Sequence, residues 1–269
     1  MKRSISNLAW GNTSVSEIAP RLRKAGIEGV EIAPNAICPD APKVRTKDVS
    51  EHKQKWNDCG ILVSGVQSLL YGNPNLQIFD RSTWPDLLEH LKAMVELSCT
   101  LGAGIVVFGS PRNRIKGNLG LMTAHEVFAE FLYKLIPVLE RNDVVLALEP
   151  NAPEYGADYL NFYSDVIFLS DFVGSSWIQP QIDTGCLTMV GEDPVRAVYH
   201  RKPAHVHVST PHLRRPPGDL DHASFSSCLN ENNYEGWVVL EMLQVESDPI
   251  EIAIESASWL ANTYGDQTR

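Results

Sequence analysis

The chain has 269 residues, of which 43% are hydrophobic and 21% charged, and a net charge of −10. That length is ordinary for an α/β barrel, which takes about 250 residues, and the composition suits a soluble fold with a sizeable core. The acidic balance, without a basic arm or polybasic tract, argues against an extended phosphate-binding surface and so against nucleic-acid partners.

Strand-like segments are expected at 3–9, 28–33, 61–67, 104–109, 144–149, 178–183, 204–209 and 237–242. They are short and apolar, as strands covered on one side by helices should be. Amphipathic helical segments separate and follow them at 14–25, 46–58, 84–101, 123–141, 158–172, 194–200, 221–232 and 249–262, with Leu87, Leu88, Leu91, Met94, Val95 and Leu97 showing the helical period. Eight strand–helix units in this length predict a closed (β/α)8 TIM barrel formed by one domain, residues 1–269. An open doubly wound sheet is disfavoured because no GxGxxG follows the first strand. The irregular loops at 34–44, 69–81, 110–121 and 210–220 all follow strands, which places them at the C-terminal face where barrels build their sites.

Five cysteines (Cys38, Cys59, Cys99, Cys186 and Cys228) without CxxC spacing predict free thiols in a reducing compartment. The opening Met1-Lys2-Arg3 leads into a segment too short and polar for an export signal, and no stretch is long enough to span a bilayer. The expected location is the cytoplasm, with no membrane partner.

Four acidic or imidazole side chains sit at the ends of the last four strands. They are Glu149 in VVLALEPN, Asp183 in IQPQIDTG, His207 in AHVHVST and Glu241 in GWVVLEM, spaced by 34, 24 and 34 residues. The period-2 alternation turns them inward and Leu148, Ile182, Val206 and Leu240 toward the helices. Charges gathered at a barrel mouth are costly unless compensated, so their convergence predicts a divalent cation. The oxygen-rich set with a single nitrogen suits Mn²⁺ first, with Mg²⁺, Co²⁺ or Zn²⁺ as alternatives. Two carboxylates on one cation can also transfer protons: Glu149 and Glu241 can remove and return a proton beside a carbonyl, through an enediolate. That chemistry serves epimerisation and aldose–ketose isomerisation alike.

Further candidates surround this set. Arg112 and Arg114 in FGSPRNR offer bidentate donors to a substrate anion or to hydroxyls. Trp10 offers a stacking face, or a lid over the barrel end, and Gln67 faces the same mouth. His205 is expected to be a buried histidine hydrogen-bonded below the site. Asp158 and Asp221 read as helix N-caps, and His222 as a neighbour within reach of the site. Cys186 lies beside Asp183, but no general base accompanies it in any nucleophile motif.

The segments GVEIAP (29–34), VFGSPRNR (107–114), LEPNAPEYGADYL (148–160), QIDTGCLTMVGEDP (181–194), HVHVS (205–209) and GWVVLEM (236–242) resemble the xylose isomerase-like TIM-barrel superfamily. Within it the chain is similar to sugar phosphate isomerases/epimerases of the tagatose/psicose 3-epimerase type. The resemblance implies that Glu149, Asp183, His207 and Glu241 are metal ligands, with Glu149 and Glu241 as the acid–base pair. It also implies that Glu31 belongs to the pocket wall, with Arg214 or Arg215, at a shifted spacing, as the counterpart of the substrate-binding arginine and Glu154, offset by one, as that of a second acid. The implied partner is a small sugar or sugar derivative, and a homo-oligomer is left open. This chain departs from the ketose 3-epimerases at Gly185 and Cys186, where they carry a histidine, and at Ser209-Thr210-Pro211-His212, where they carry a glutamate. The departures point away from free ketohexose. The rival readings are a metal-dependent dehydratase of a keto-inositol-like substrate, an endonuclease-type phosphodiesterase, which would need histidines this chain lacks, and a non-catalytic sugar-binding barrel.

Overall fold

A computed structural model describes residues 1–11, 13–34 and 46–265 of the chain. The strands are β1 (Lys2–Ser6), β2 (Gly29–Ile32), β3 (Leu62–Val66), β4 (Ile105–Phe108), β5 (Val145–Leu148), β6 (Ile178–Asp183), β7 (His205–Val208) and β8 (Trp237–Leu240). Every neighbouring pair is parallel, and β1 closes on β8 through Lys2↔Trp237 to Ile5↔Leu240, giving a closed eight-stranded barrel. The helices among the described residues are α1 (Val15–Lys24), α2 (Thr46–Asn57), α3 (Trp84–Leu101), α4 (Leu121–Asn142), α5 (Tyr163–Val173), α6 (Thr184–Met189), α7 (Pro194–His200), α8 (His222–Glu231) and α9 (Pro249–Tyr264). None is long and apolar enough to cross a membrane.

Alternation along each strand separates two environments. Outward residues such as Phe108, Leu146, Leu148, Ile182, Val206, Val208, Val238 and Leu240 are buried in the apolar core, together with Leu22, Leu87, Phe128, Leu135, Leu229 and Leu260 of the helices. Each such side chain contributes about 1.5–3 kcal/mol by leaving water. Many inward residues are polar and equally buried: Ser4, Ser6, Glu31, Ser64, Gln67, Gln181, Asp183, His205 and His207. Along the barrel axis these polar groups share the interior with the buried aliphatic Val107, Ala147 and Val239. Ser4 and Ser64 lie 2.7 Å apart across it.

Element ends depart from the sequence expectation for local reasons. The first strand stops at Ser6, whose hydroxyl accepts from Leu8 N and starts a short turn at Asn7–Ala9. Asp158 is not an N-cap: its carboxylate accepts from Lys116 N at 2.7 Å and Gly117 N at 2.8 Å, tying the loop after β4 to the loop after β5. Helix α5 consequently begins at Tyr163, where Asp165 accepts from Phe162 N. Helix α6, unforeseen in the sequence, grows directly from β6 because Asp183 caps it. Asp221 does cap α8, accepting from Ser224 N. The loop expected at 34–44 lies, apart from Pro34, outside the described residues, as does Cys38; the other four cysteines are free.

A register shift between Val30 and Glu31 sets Glu31 opposite Gly65 of β3. A Cβ on Gly65 would stand 2.6 Å from Glu31 Oε1 and 3.6 Å from His205 Cε1. The missing side chain is what admits a buried glutamate at this level of the barrel. Gly65→Ala should therefore lower stability by about 1–3 kcal/mol, the usual cost of overpacking, measurable as a reduced denaturant midpoint at unchanged slope.

Candidate metal centre

The ends of β5, β6, β7 and β8 bring Glu149, Asp183, His207 and Glu241 together, with one ligand atom of each lying within 4.8 Å of the others. His207 is the hub. Its Nδ1 is 3.0 Å from Glu149 Oε1, 3.2 Å from Glu241 Oε2 and 3.9 Å from Asp183 Oδ2. Its other nitrogen, Nε2, is 2.8 Å from Glu31 Oε2. Glu31 in turn holds His205 Nε2 at 2.7 Å, so His205 sits below the site as a hydrogen-bonded core histidine.

Two of the acids, Asp183 and Glu149, are fixed by neutral donors. Asp183 Oδ1 accepts from Cys186 N at 2.6 Å, as the cap of α6, and Ser209 Oγ lies 2.8 Å from both its oxygens. Glu149 accepts from Gln181 Nε2 at 2.9 Å on Oε1 and from Asn151 Nδ2 at 3.0 Å on Oε2. Asn151, Gln181 and Ser209 were not singled out in the sequence. They sit two residues from Glu149, Asp183 and His207 in the chain, so the same period-2 alternation could have found them.

The electrostatics are those of crowded acids. Burial, together with the neighbouring Glu149 and Asp183 charges, pushes the Glu241 carboxyl up to about 7 against the pull of His207. Burial and the Glu149 charge raise Asp183 as well. Burial alone would lower His207, but Glu31 and Glu241, with contacts to Glu149 and Glu241, hold its imidazolium well above the usual range. For Glu31 burial is likewise the largest influence and would raise it, but His207 and His205 together bring it down to about 2. A buried imidazole Nδ1 that faces three carboxylates at 3.0, 3.2 and 3.9 Å fits a cation ligand. The mixed carboxylate–imidazole donor set fits a divalent ion of the Mn²⁺, Mg²⁺, Co²⁺ or Zn²⁺ kind.

The remaining candidates are dispersed. Gln67 is buried and hydrogen-bonded to Ser6. Trp10 is buried against Trp56, with ring centres 6.3 Å apart. Arg114 is fully buried, and Arg112, Glu154 and Arg214 are exposed on the loops above. His222 is turned away from the site, bonded to Tyr264 Oη and the Pro217 carbonyl. Tyr155 comes nearer: its hydroxyl accepts from His212 N at 2.8 Å, joining the loops after β5 and β7. Burial, with the Asp183 and Glu149 charges, pushes the Cys186 thiol well up and keeps it a neutral neighbour.

Two outcomes follow. Glu31→Gln should weaken Mn²⁺ affinity by about 10–100-fold, the usual effect of losing the group that orients a histidine ligand, as read by calorimetric titration. Because Glu241 and His207 hold protons that a bound cation must displace, Mn²⁺ binding should release protons and its affinity should rise with pH through about 7. Titrations in buffers of different ionisation enthalpy measure that release.

Comparison with solved structures gives full-length matches. The chain is similar to 3-keto-D-glucoside 4-epimerase YcjR from E. coli, at 20% identity and a TM-score of 0.79 over 97% of this chain and 99% of that one. It is similar to D-psicose 3-epimerase from Clostridium cellulolyticum H10, at 14% identity and 0.78 over 98% of both chains. An L-ribulose 3-epimerase matches at 17% identity and 0.79, over 98% of this chain and 95% of that one. At these identities the likeness is one of fold. No curated protein sequence matches significantly. The family model described as xylose isomerase-like TIM barrel matches residues 20–263, and the chain belongs to that family.

Proposed function

We propose that the protein is a divalent-metal-dependent isomerase or epimerase of a sugar or sugar derivative, with Glu149, Asp183, His207 and Glu241 as the metal ligands. The observation that carries this reading is the ring of three carboxylates gathered around the buried Nδ1 of one imidazole. A bound divalent cation supplies Lewis-acid polarisation of a substrate carbonyl and its adjacent hydroxyl, which acidifies the intervening C–H. Glu149, gripped on both oxygens by amide donors, removes or delivers the proton from one side. Glu241, whose Oε2 lies 3.2 Å from His207 Nδ1, serves the other side. Asp183, locked by the α6 cap and Ser209, only holds the cation. The three similar structures are of sugar epimerases, which supports the substrate class for this chain. The cytoplasm is the compartment that suits this activity and the free thiols.

The test is incubation of the Mn²⁺-loaded protein in D₂O with a panel of ketoses, aldoses and keto-glycosides. Deuterium incorporation at one carbon, with no other change of mass, is expected; loss of water would instead identify a dehydratase. Glu149→Gln and Glu241→Gln should each lower turnover by about 10²–10⁴-fold, the typical worth of a general acid or base. Metal content is measured on each variant, so that loss of the cation is separated from loss of the proton carrier.

A further inference from the structure

Arg114 was a candidate for substrate recognition in the sequence, and its position in the barrel argues for different work. Its side chain is fully buried. Nη2 donates to Asn151 Oδ1 at 2.8 Å and to the Leu160 carbonyl at 3.5 Å, while Nε and Nη1 have no hydrogen-bond partner among the described residues. A guanidinium buried with so few acceptors is expensive. It is expected only where its charge or its donor geometry is needed.

The need lies one residue away. An amide side chain can turn either its oxygen or its nitrogen toward a neighbour, and its surroundings select the sense. Because Arg114 has only donors, Asn151 must present Oδ1 to it. The Asn151 NH₂ group is then directed at Glu149 Oε2, 3.0 Å away. The Asn151 backbone is held independently: its N–H donates to Leu160 O, and its carbonyl accepts from Asn161 Nδ2. With the backbone anchored, the amide is clamped between Arg114, which takes its oxygen, and Glu149, which takes its nitrogen, with Cys186 Sγ 3.8 Å from the same Nδ2. Gly109 completes the fit, since a Cβ there would stand 2.1 Å from Glu149 Oε2 and 3.3 Å from Asn151 Oδ1.

We propose that Arg114 is a positioning residue that acts through Asn151 to hold the Glu149 carboxylate in place, rather than a substrate-binding arginine. The inference rests on the reading of Glu149 as metal ligand and proton carrier, and it adds the device that fixes its orientation. The buried charge also compensates the acids of the site at long range. Burial brings the guanidinium down to about 10, with Glu149 the foremost charge pulling it back up, so it remains a cation at neutral pH.

The experiment is a double-mutant cycle on the full chain, with R114M, N151A and the double variant, read by Mn²⁺ titration and by crystal structures of the metal-free proteins. Methionine fills much of the arginine's volume without its charge or donors. If R114M fails to fold, R114L, which likewise removes the charge and the donors, takes its place. The expected result is a loss of Mn²⁺ affinity of about tenfold or more in each single variant. The double variant should be no weaker than N151A alone, because both changes break one chain of contacts. In R114M the Asn151 amide should have left Glu149 Oε2. The inference is overturned if R114M binds Mn²⁺ like the wild type with Asn151 still on Glu149, or if the two losses multiply in the double variant. A wild-type protein that takes up no Mn²⁺ would defeat the metal reading instead. The Asn151–Glu149 geometry in R114M would then decide this inference by itself.

Discussion

The imidazole of His207, ringed by Glu31, Glu149, Asp183 and Glu241, is the constraint on which the rest of the site depends. Four carboxylates this close, in a space with little water, cannot all stay ionised without cations to face them. The metal-free protein answers by keeping protons: His207 is held as an imidazolium and Glu241 is pushed up to about 7. A divalent ion would offer the same counter-charge in a compact form, with Nδ1 and three carboxylate oxygens already gathered around it.

Much of the barrel architecture reads as support for that ring. The register shift in β2 and the missing Cβ of Gly65 admit Glu31 beneath His207. Helix α6 starts at Asp183 because the same carboxylate that faces the site also caps a helix. Asn151, Gln181 and Ser209 contribute hydrogen bonds without adding charge. Arg114 contributes charge from behind an amide and so leaves the donor set free of a competing cation. The rim is chemically different, with exposed Arg112, Arg214 and Glu154 and with the Tyr155–His212 link above a neutral thiol. The carboxylate–imidazole ring at the centre and the charged and aromatic side chains of the rim are thus separate sets of residues.

The alternation of HVHV in β7 and of ALEPN and QID at the ends of β5 and β6 made the fold and the facing of the principal side chains legible in the sequence. In a parallel strand covered by helices, apolar and polar residues cannot exchange faces without burying charge in the core. Strand spacing carried the closed barrel for the same reason. The sequence misplaced features in which a polar side chain had several local partners to choose from. Asp158 looked like a cap but ties two loops, and Asp183 looked only like a ligand but also caps a helix.

What the sequence determined by itself was therefore periodic: eight strand–helix units, which residues point inward, and four strand-end groups of cation-binding chemistry. Tertiary structure alone decided which atoms meet. That Glu31 lies under His207, that Arg114 is buried behind Asn151 rather than open to a ligand, and that His222 turns toward Tyr264 depend on barrel register and on loops that cross between neighbouring units. Such contacts join residues as distant in the chain as Glu31 and His207, and no local period encodes them.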